Sequence, residues 1–227
     1  MKISKQMKIS DKVIIAIFVF ATFCLSNKTA MENIDVHQLW LECRLKDEIP
    51  FGIFNTAVLG CQKTDNNHKK NIISIIDFSK PSTEKRFLVI DLGDKRLLYK
   101  CFVAHGKNSG ENYAKSFSNE SGSLKSSLGF FLTAETYSGD HGYSLRLEGL
   151  EKGINDNARA REIVVHGAEY VSEEFIQKYG RLGRSWGCLA LPVEISKEII
   201  DKISGGSCLF IYADDNYYKE NSTFLKR

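Results

Sequence analysis

Three kinds of hydrophobic spacing follow one another along the chain. The first is an unbroken apolar run from Val13 to Phe20 that continues through Ala21 to Leu25, preceded by Lys2, Lys5, Lys8 and Lys12. Its roughly 13 residues fall short of the roughly 20 that a helix needs to cross hydrocarbon, so it reads as the h-region of a signal peptide behind a basic n-region. An uncleaved anchor is the alternative. Small residues between Ser26 and Ala30 mark the cleavage zone, although Lys28 fits such a site poorly, and the bulky Phe23 before Cys24 argues against a lipoprotein signal. Residues 1–30 are therefore expected to be removed, leaving an exported protein of the periplasm or cell envelope without an integral membrane segment.

The second spacing is helical and covers residues 31–70. Val36, Leu39, Trp40 and Cys43 fall on one face, Pro50 interrupts, and Phe51, Phe54, Val58 and Cys61 form a second stripe, which predicts a two-helix preface. The polar stretch from Thr64 to Asn71, with His68 in it, reads as a loop. From residue 71 the runs become short and β-rich: 72–78, 87–92, 97–104, 129–133, 143–147, 162–166, 187–191 and 207–212. Gly93-Asp94 between two of them is a hairpin signal. Only 172–179 and 193–204 look helical in this part. Strands separated by turns predict a mainly β domain over 71–214, a largely antiparallel β-sandwich or partly open barrel with a few short helices rather than a doubly wound sheet. The Ser-, Asn- and Gly-rich stretch 106–127 is expected to be a substrate-side loop, and residues 215–227 a loose polar tail.

Charge changes the picture little once the leader is set aside. Of 31 basic and 28 acidic side chains, five Lys and one Asp lie in residues 1–30, so the remainder is within one charge of neutrality and lacks the basic footprint of a nucleic-acid binder. Cysteine usage says more. Without Cys24 the chain keeps Cys43, Cys61, Cys101, Cys188 and Cys208, and an odd number in an oxidising compartment leaves one thiol unpaired. Cys101 and Cys208 sit in strand-like apolar runs where a buried thiol is one reading, a Cys43–Cys61 disulfide is another, and the pairing among Cys43, Cys61, Cys101 and Cys208 stays open.

Cys188 stands apart, because it follows the turn-prone Ser185-Trp186-Gly187 and heads an apolar run. Such a turn presents the sulfur at a strand edge, and Gly187 would let a reacting carbonyl approach while nearby amides face the oxyanion. A thiol of ordinary acidity is mostly protonated at neutral pH, so it needs a base to be ionised when a substrate arrives. His166 closes the strand Ile163-Val164-Val165-His166, and the carbonyl of Gly167 could hold its orientation. Arg184 and Ser185 either bind a substrate carboxylate or brace the turn. His141, in Asp140-His141-Gly142-Tyr143, either lines the cleft or faces solvent, and His105 ranks lower.

A strand ending in His-Gly, a spacer, and Ser-x-Gly-Cys at the head of another strand resemble the L,D-transpeptidase (YkuD-type) catalytic domain. The chain is most similar to the murein L,D-transpeptidase catalytic domain branch, through Phe117-Ser118-Asn119, Ser126-Ser127-Leu128-Gly129-Phe130, Gly149-Leu150, Asn155 to Arg159, Ile163 to Ala168 and Gly180 to Cys188. The similarity runs from about residue 72 to 212 and extends to the helical preface. It implies that Cys188 attacks the carbonyl of the L-centred third residue of a peptidoglycan stem peptide and expels the terminal D-amino acid. The thioester would pass to an amine or to water, with His166 as base and then acid, Gly167 orienting it, and the backbone at Trp186, Gly187 and Cys188 as oxyanion hole. No cofactor or metal is implied, and carbapenems are reactive mimics accepted by the family.

Departures from the pattern are Trp186 where the broad family has His, Leu189 where the branch often has Pro, and Ala190 where it has Asn or Arg. Trp186 supports a competing reading, a wall-binding module without turnover. A sortase-like transpeptidase also runs from His to Cys, but no downstream Arg besides Arg227 could serve it. A zinc site from His105, His141, His166 and a Cys lacks the paired spacing of known zinc motifs.

Overall fold

The computed structural model describes residues 35–64 and 71–226; the leader, its cleavage zone and the loop around His68 lie outside the described residues. Two helices open the described chain. In α1 (Val36–Glu42) the Asp35 carboxylate accepts from the amides of His37 and Gln38, each at 3.0 Å, satisfying donors that a helix start leaves unpaired. Helix α2 (Phe51–Gln62) follows Pro50, whose fixed φ suits a helix entrance. Its apolar stripe packs on the sheet so closely at Gly60 that a Cβ there would overlap the Phe130 ring.

The strands are β1 (Ile72–Asp77), β2 (Phe87–Asp91), β3 (Arg96–Cys101), β4 (Gly129–Gly139), β5 (Gly142–Gly149), β6 (Val164–Gly167), β7 (Leu189–Leu191) and β8 (Cys208–Tyr212). They form one sheet in the order β3-β2-β1-β8-β4-β5-β6-β7. Pairing is antiparallel except at β1–β8 and β6–β7. An isolated bridge between Ala104, just beyond β3, and Ala190 of β7 brings the two ends of the sheet together. The protein is thus mainly β, in the partly closed barrel form of the expected architecture. All six residues of β1 are buried, because α2 covers one side and the barrel interior the other. Helices α3 (Glu173–Tyr179) and α4 (Val193–Ile203) complete the domain, with α4 burying Ile199, Ile200 and Ile203.

Three expectations are corrected here. Cys61 is bonded to Cys208, not to Cys43, so α2 is stapled to β8. Cys43 and Cys101 are free and buried, and burial pushes their thiols up to about 11 and about 12. The C-terminal residues are not loose, since α5 (Asn216–Asn221) docks Tyr218, whose hydroxyl donates to the buried Glu151 carboxylate at 3.0 Å, and Ser222 donates to the same carboxylate. The stretch 106–127 lies behind the Cys188 turn rather than along the substrate cleft: the Lys107 amide donates to Ser185 O at 2.8 Å and Ser126 Oγ to Gly187 O at 3.2 Å.

Among the described residues no helix is long and apolar enough to cross a membrane.

Candidate functional site

The register of β6 and β7 brings the two chemical residues together. His166 is the partner of Ala190, and Cys188 precedes Ala190 by two positions, so the alternation of a strand points the sulfur and the imidazole to the same face. Both line a cleft of about 400 Å³, together with His141, Gly167, Glu169, Tyr170, Arg184, Ser185 and Trp186. Gly187 is not on its wall.

His166 is 3% exposed, and burial together with the nearby His141 lowers its pKa below the ordinary 6.5, so the ring is neutral at pH 7. Its Nδ1 lies 3.0 Å from Gly167 O, an atom that can only accept. Nδ1 therefore carries the proton, which leaves Nε2 as the basic nitrogen. Gly167 is required by packing, because a Cβ there would lie 2.5 Å from Ser196 Oγ on α4. The β4–β5 hairpin turns at Asp140 and His141, and the His141 ring stacks on that of His166 with centroids 4.7 Å apart.

Cys188 is half-buried, and its Sγ donates to Glu162 O at 3.5 Å. Glu162 sits at φ 57°, an uncommon conformation for a non-glycine residue, as the chain turns into β6. Burial raises the thiol pKa, while the Val164 amide and the Arg161 charge oppose the rise and the Glu162 carboxylate adds to it. The resting sulfur is thus a neutral thiol that shares its cleft with a neutral imidazole.

The turn holding Cys188 is braced from inside. Ser185 Oγ donates to Cys188 O at 2.6 Å and accepts from the Gly187 amide at 3.1 Å, so Ser185 braces the turn. That bond also engages the Gly187 amide at rest. The glycine is needed for φ 127° and for the close approach of Lys125 O, which would lie 2.9 Å from a Cβ. Arg184 is likewise a brace, donating to Lys107 O and Gly110 O and pairing with Glu111 at 2.7 Å. Trp186, at the cleft mouth, is 73% exposed.

Sequence reasoning missed Arg161, Ser126, Glu169 and Tyr170. Arg161 is half-buried and donates to Ser118 O and Ser127 Oγ at 2.6 Å each and to Lys125 O at 2.7 Å, which fixes its charge near the sulfur. Its signal was a basic residue just before an apolar strand, too common to single out. His105 is in a different place: it is fully buried, with Nδ1 2.8 Å from Arg86 Nη2, so it cannot share a metal with His141 and His166 without breaking that pair. Among the described residues no group of three or more His, Cys, Asp or Glu side chains is placed to hold a metal.

A family model of the L,D-transpeptidase catalytic domain matches residues 45–212. The chain belongs to this family. The L,D-transpeptidase match begins ahead of α2 and so includes that helix.

The solved structures to which the chain is similar are distant in sequence, and the first two are L,D-transpeptidases. One from Mycobacterium smegmatis is 16% identical over 63% of this chain and 59% of its own, with a TM-score of 0.39. L,D-transpeptidase 3 from Mycobacterium tuberculosis, in complex with a faropenem-derived adduct, is 11% identical over 63% and 61%, with a TM-score of 0.41. The helical cell shape determining protein Pgp2 from Campylobacter jejuni is 15% identical over 71% and 55%, with a TM-score of 0.43. The chain thus spans between 55% and 61% of the length of these three proteins. No curated protein matches it.

Proposed function

We propose that the protein is a peptidoglycan L,D-transpeptidase that works through a thioester on Cys188. The observation that carries this reading is the shared face of Cys188 and His166 in one cleft, with His166 Nδ1 committed to Gly167 O and Nε2 left as the base. Nε2 takes the thiol proton as the sulfur attacks the carbonyl of the third stem residue. The same proton then passes to the departing nitrogen of the terminal D-amino acid as the C–N bond breaks. An amine, or water in an L,D-carboxypeptidase side reaction, releases the acyl group by the reverse path. The Cys188 amide lies beside the sulfur as a donor for the oxyanion, and the Arg161 charge behind the turn favours negative charge there. Export to the periplasm or cell envelope is part of the proposal; the basic and apolar leader and the Cys61–Cys208 disulfide support it.

Incubation of the protein with disaccharide tetrapeptide, read by mass spectrometry, is expected to yield tripeptide or dimer, released D-amino acid and a thioester mass on Cys188, and a carbapenem is expected to add to the same residue. Cys188→Ala should abolish all of these with an unchanged circular dichroism spectrum, since a small residue replaces another at a strand start. Turnover in that variant, or an adduct on another cysteine, would end the mechanism. The exposed Trp186 favours a second reading, a wall-binding module without turnover. Thiol labelling of Cys188 at equal rates in the wild type and in His166→Ala would support that reading instead.

A further inference from the structure

Beyond the reacting pair, the cleft carries a charge that attack by Cys188 does not use. Glu169 lies three residues after His166, in a turn closed by the Val171 amide donating to Ala168 O at 3.0 Å and tied to β7 by the Ala168 amide on Leu191 O at 2.9 Å. The turn is fixed, and the Glu169 side chain is exposed on the cleft wall. Among the described residues no side chain or amide pairs with its carboxylate. On the same wall Arg184 is held by Glu111, a carboxylate that it shares with Arg181, and His166 is neutral. Glu169 is therefore the one carboxylate among the residues that line the cleft, and it is unpaired among the described residues. Tyr170, whose phenol burial pushes up to about 12, and the 73% exposed Trp186 share the wall with it. A free carboxylate among aromatic faces is the chemistry that receives an ammonium group, by direct attraction and through the negative faces of the rings.

We infer that Glu169, with Trp186 and Tyr170, forms the subsite for a cationic primary amine acceptor, and that Glu169 determines whether the thioester is transferred or hydrolysed. This rests on the thioester reading above. The acceptor arrives as an ammonium held by Glu169 and loses one proton to solvent. Its nitrogen then attacks the thioester carbonyl, the C–N bond forms, the C–S bond breaks, and the second N–H proton passes through His166 Nε2 to the departing sulfur, which regenerates the thiol. Water carries no charge for Glu169 to hold, so the carboxylate favours the amine selectively.

The test uses disaccharide tetrapeptide as donor and compares two nucleophiles, Nα-acetyl-lysine amide, which is cationic at neutral pH, and hydroxylamine, which is uncharged. The ratio of amide product to hydrolysed product is independent of the acylation rate and isolates the acceptor step. Glu169→Gln is expected to lower that ratio roughly tenfold for the lysine amide and to leave it unmoved for hydroxylamine, with Glu169→Asp recovering part of the loss. Trp186→Ala should lower it less, again for the cation alone. An unchanged ratio in Glu169→Gln, or an equal fall for both nucleophiles, would overturn the subsite while a thioester on Cys188 still stands. Absence of any thioester in the wild type would instead remove the mechanism beneath it, and the subsite with it.

Discussion

Cys188 and His166 illustrate how burial decides which protonation states meet. Desolvation moves the thiol pKa up and the imidazole pKa down, which widens the gap between neutral partners and an ion pair. In the mechanism we propose, attack is therefore assisted by His166 as general base, which makes a prediction about pH. The rate of acylation should rise as the pH climbs through the lowered pKa of His166 and should level off once Nε2 is deprotonated, at a pH below that of an ordinary histidine. His166→Gln should lose on the order of 100- to 10,000-fold and flatten that step. A pH profile of kcat/KM that rises only near the thiol pKa would show that the sulfur ionises without this base. At the same scale, Ser185 and Gly187 were legible as unusual residues beside a nucleophile, but their hydrogen bonds to one another were not, because a turn's internal partners depend on backbone angles that composition does not specify.

Among the elements, strands were readable where the apolar run was continuous, as in β1, β2 and β8, whose residues are nearly all buried. The far half of β4 was missed, since Ala134 to Gly139 is largely polar and pairs with β5 beyond a register shift. That extension is what carries His141 over His166. Helix α5 was missed for a related reason: it buries Tyr218 alone among polar neighbours, and one anchoring residue produces no period. The anchor is nonetheless specific, because Glu151 accepts from Tyr218, Ser222 and the Phe130 amide. Tyr218→Phe removes one donor to a buried carboxylate and is expected to cost about 1 kcal/mol, seen as a lower urea midpoint at unchanged slope. A midpoint equal to that of the wild type would mean that the Tyr218–Glu151 hydrogen bond contributes nothing to the folded domain.

Taken whole, the molecule is held by links far apart in sequence. The Cys61–Cys208 bond closes a separation of 147 residues, and the chain-entropy account assigns such a loop roughly 5 kcal/mol. Cys61→Ala with Cys208→Ala should therefore lower stability by several kcal/mol in denaturant titration, whereas Cys43→Ala should not reproduce that loss. Stability should also fall on acidification. Arg86, fully buried, donates to His105 Nδ1, and burial beside this cation brings His105 down to about 4 from the ordinary 6.5. Between those values the unfolded chain binds a proton that the folded chain refuses, so stability is lost as the pH falls through the window, by an amount on the order of 3 kcal/mol. His105→Gln should flatten this dependence in urea titrations between pH 7 and pH 4, and an equally steep fall in the variant would place the effect elsewhere. The strands with continuous apolar runs and the mainly β class were legible in the chain, because periodicity is written in neighbouring residues, whereas His166 and Cys188 were singled out as a pair through the resemblance to a family motif. The disulfide partner, the docking of α5, the internal bracing of the Cys188 turn and the place of Glu169 on the cleft wall came from the packed fold, because each depends on which distant segments pack together, and burial and hydrogen bonding then act on whatever that packing brings into contact.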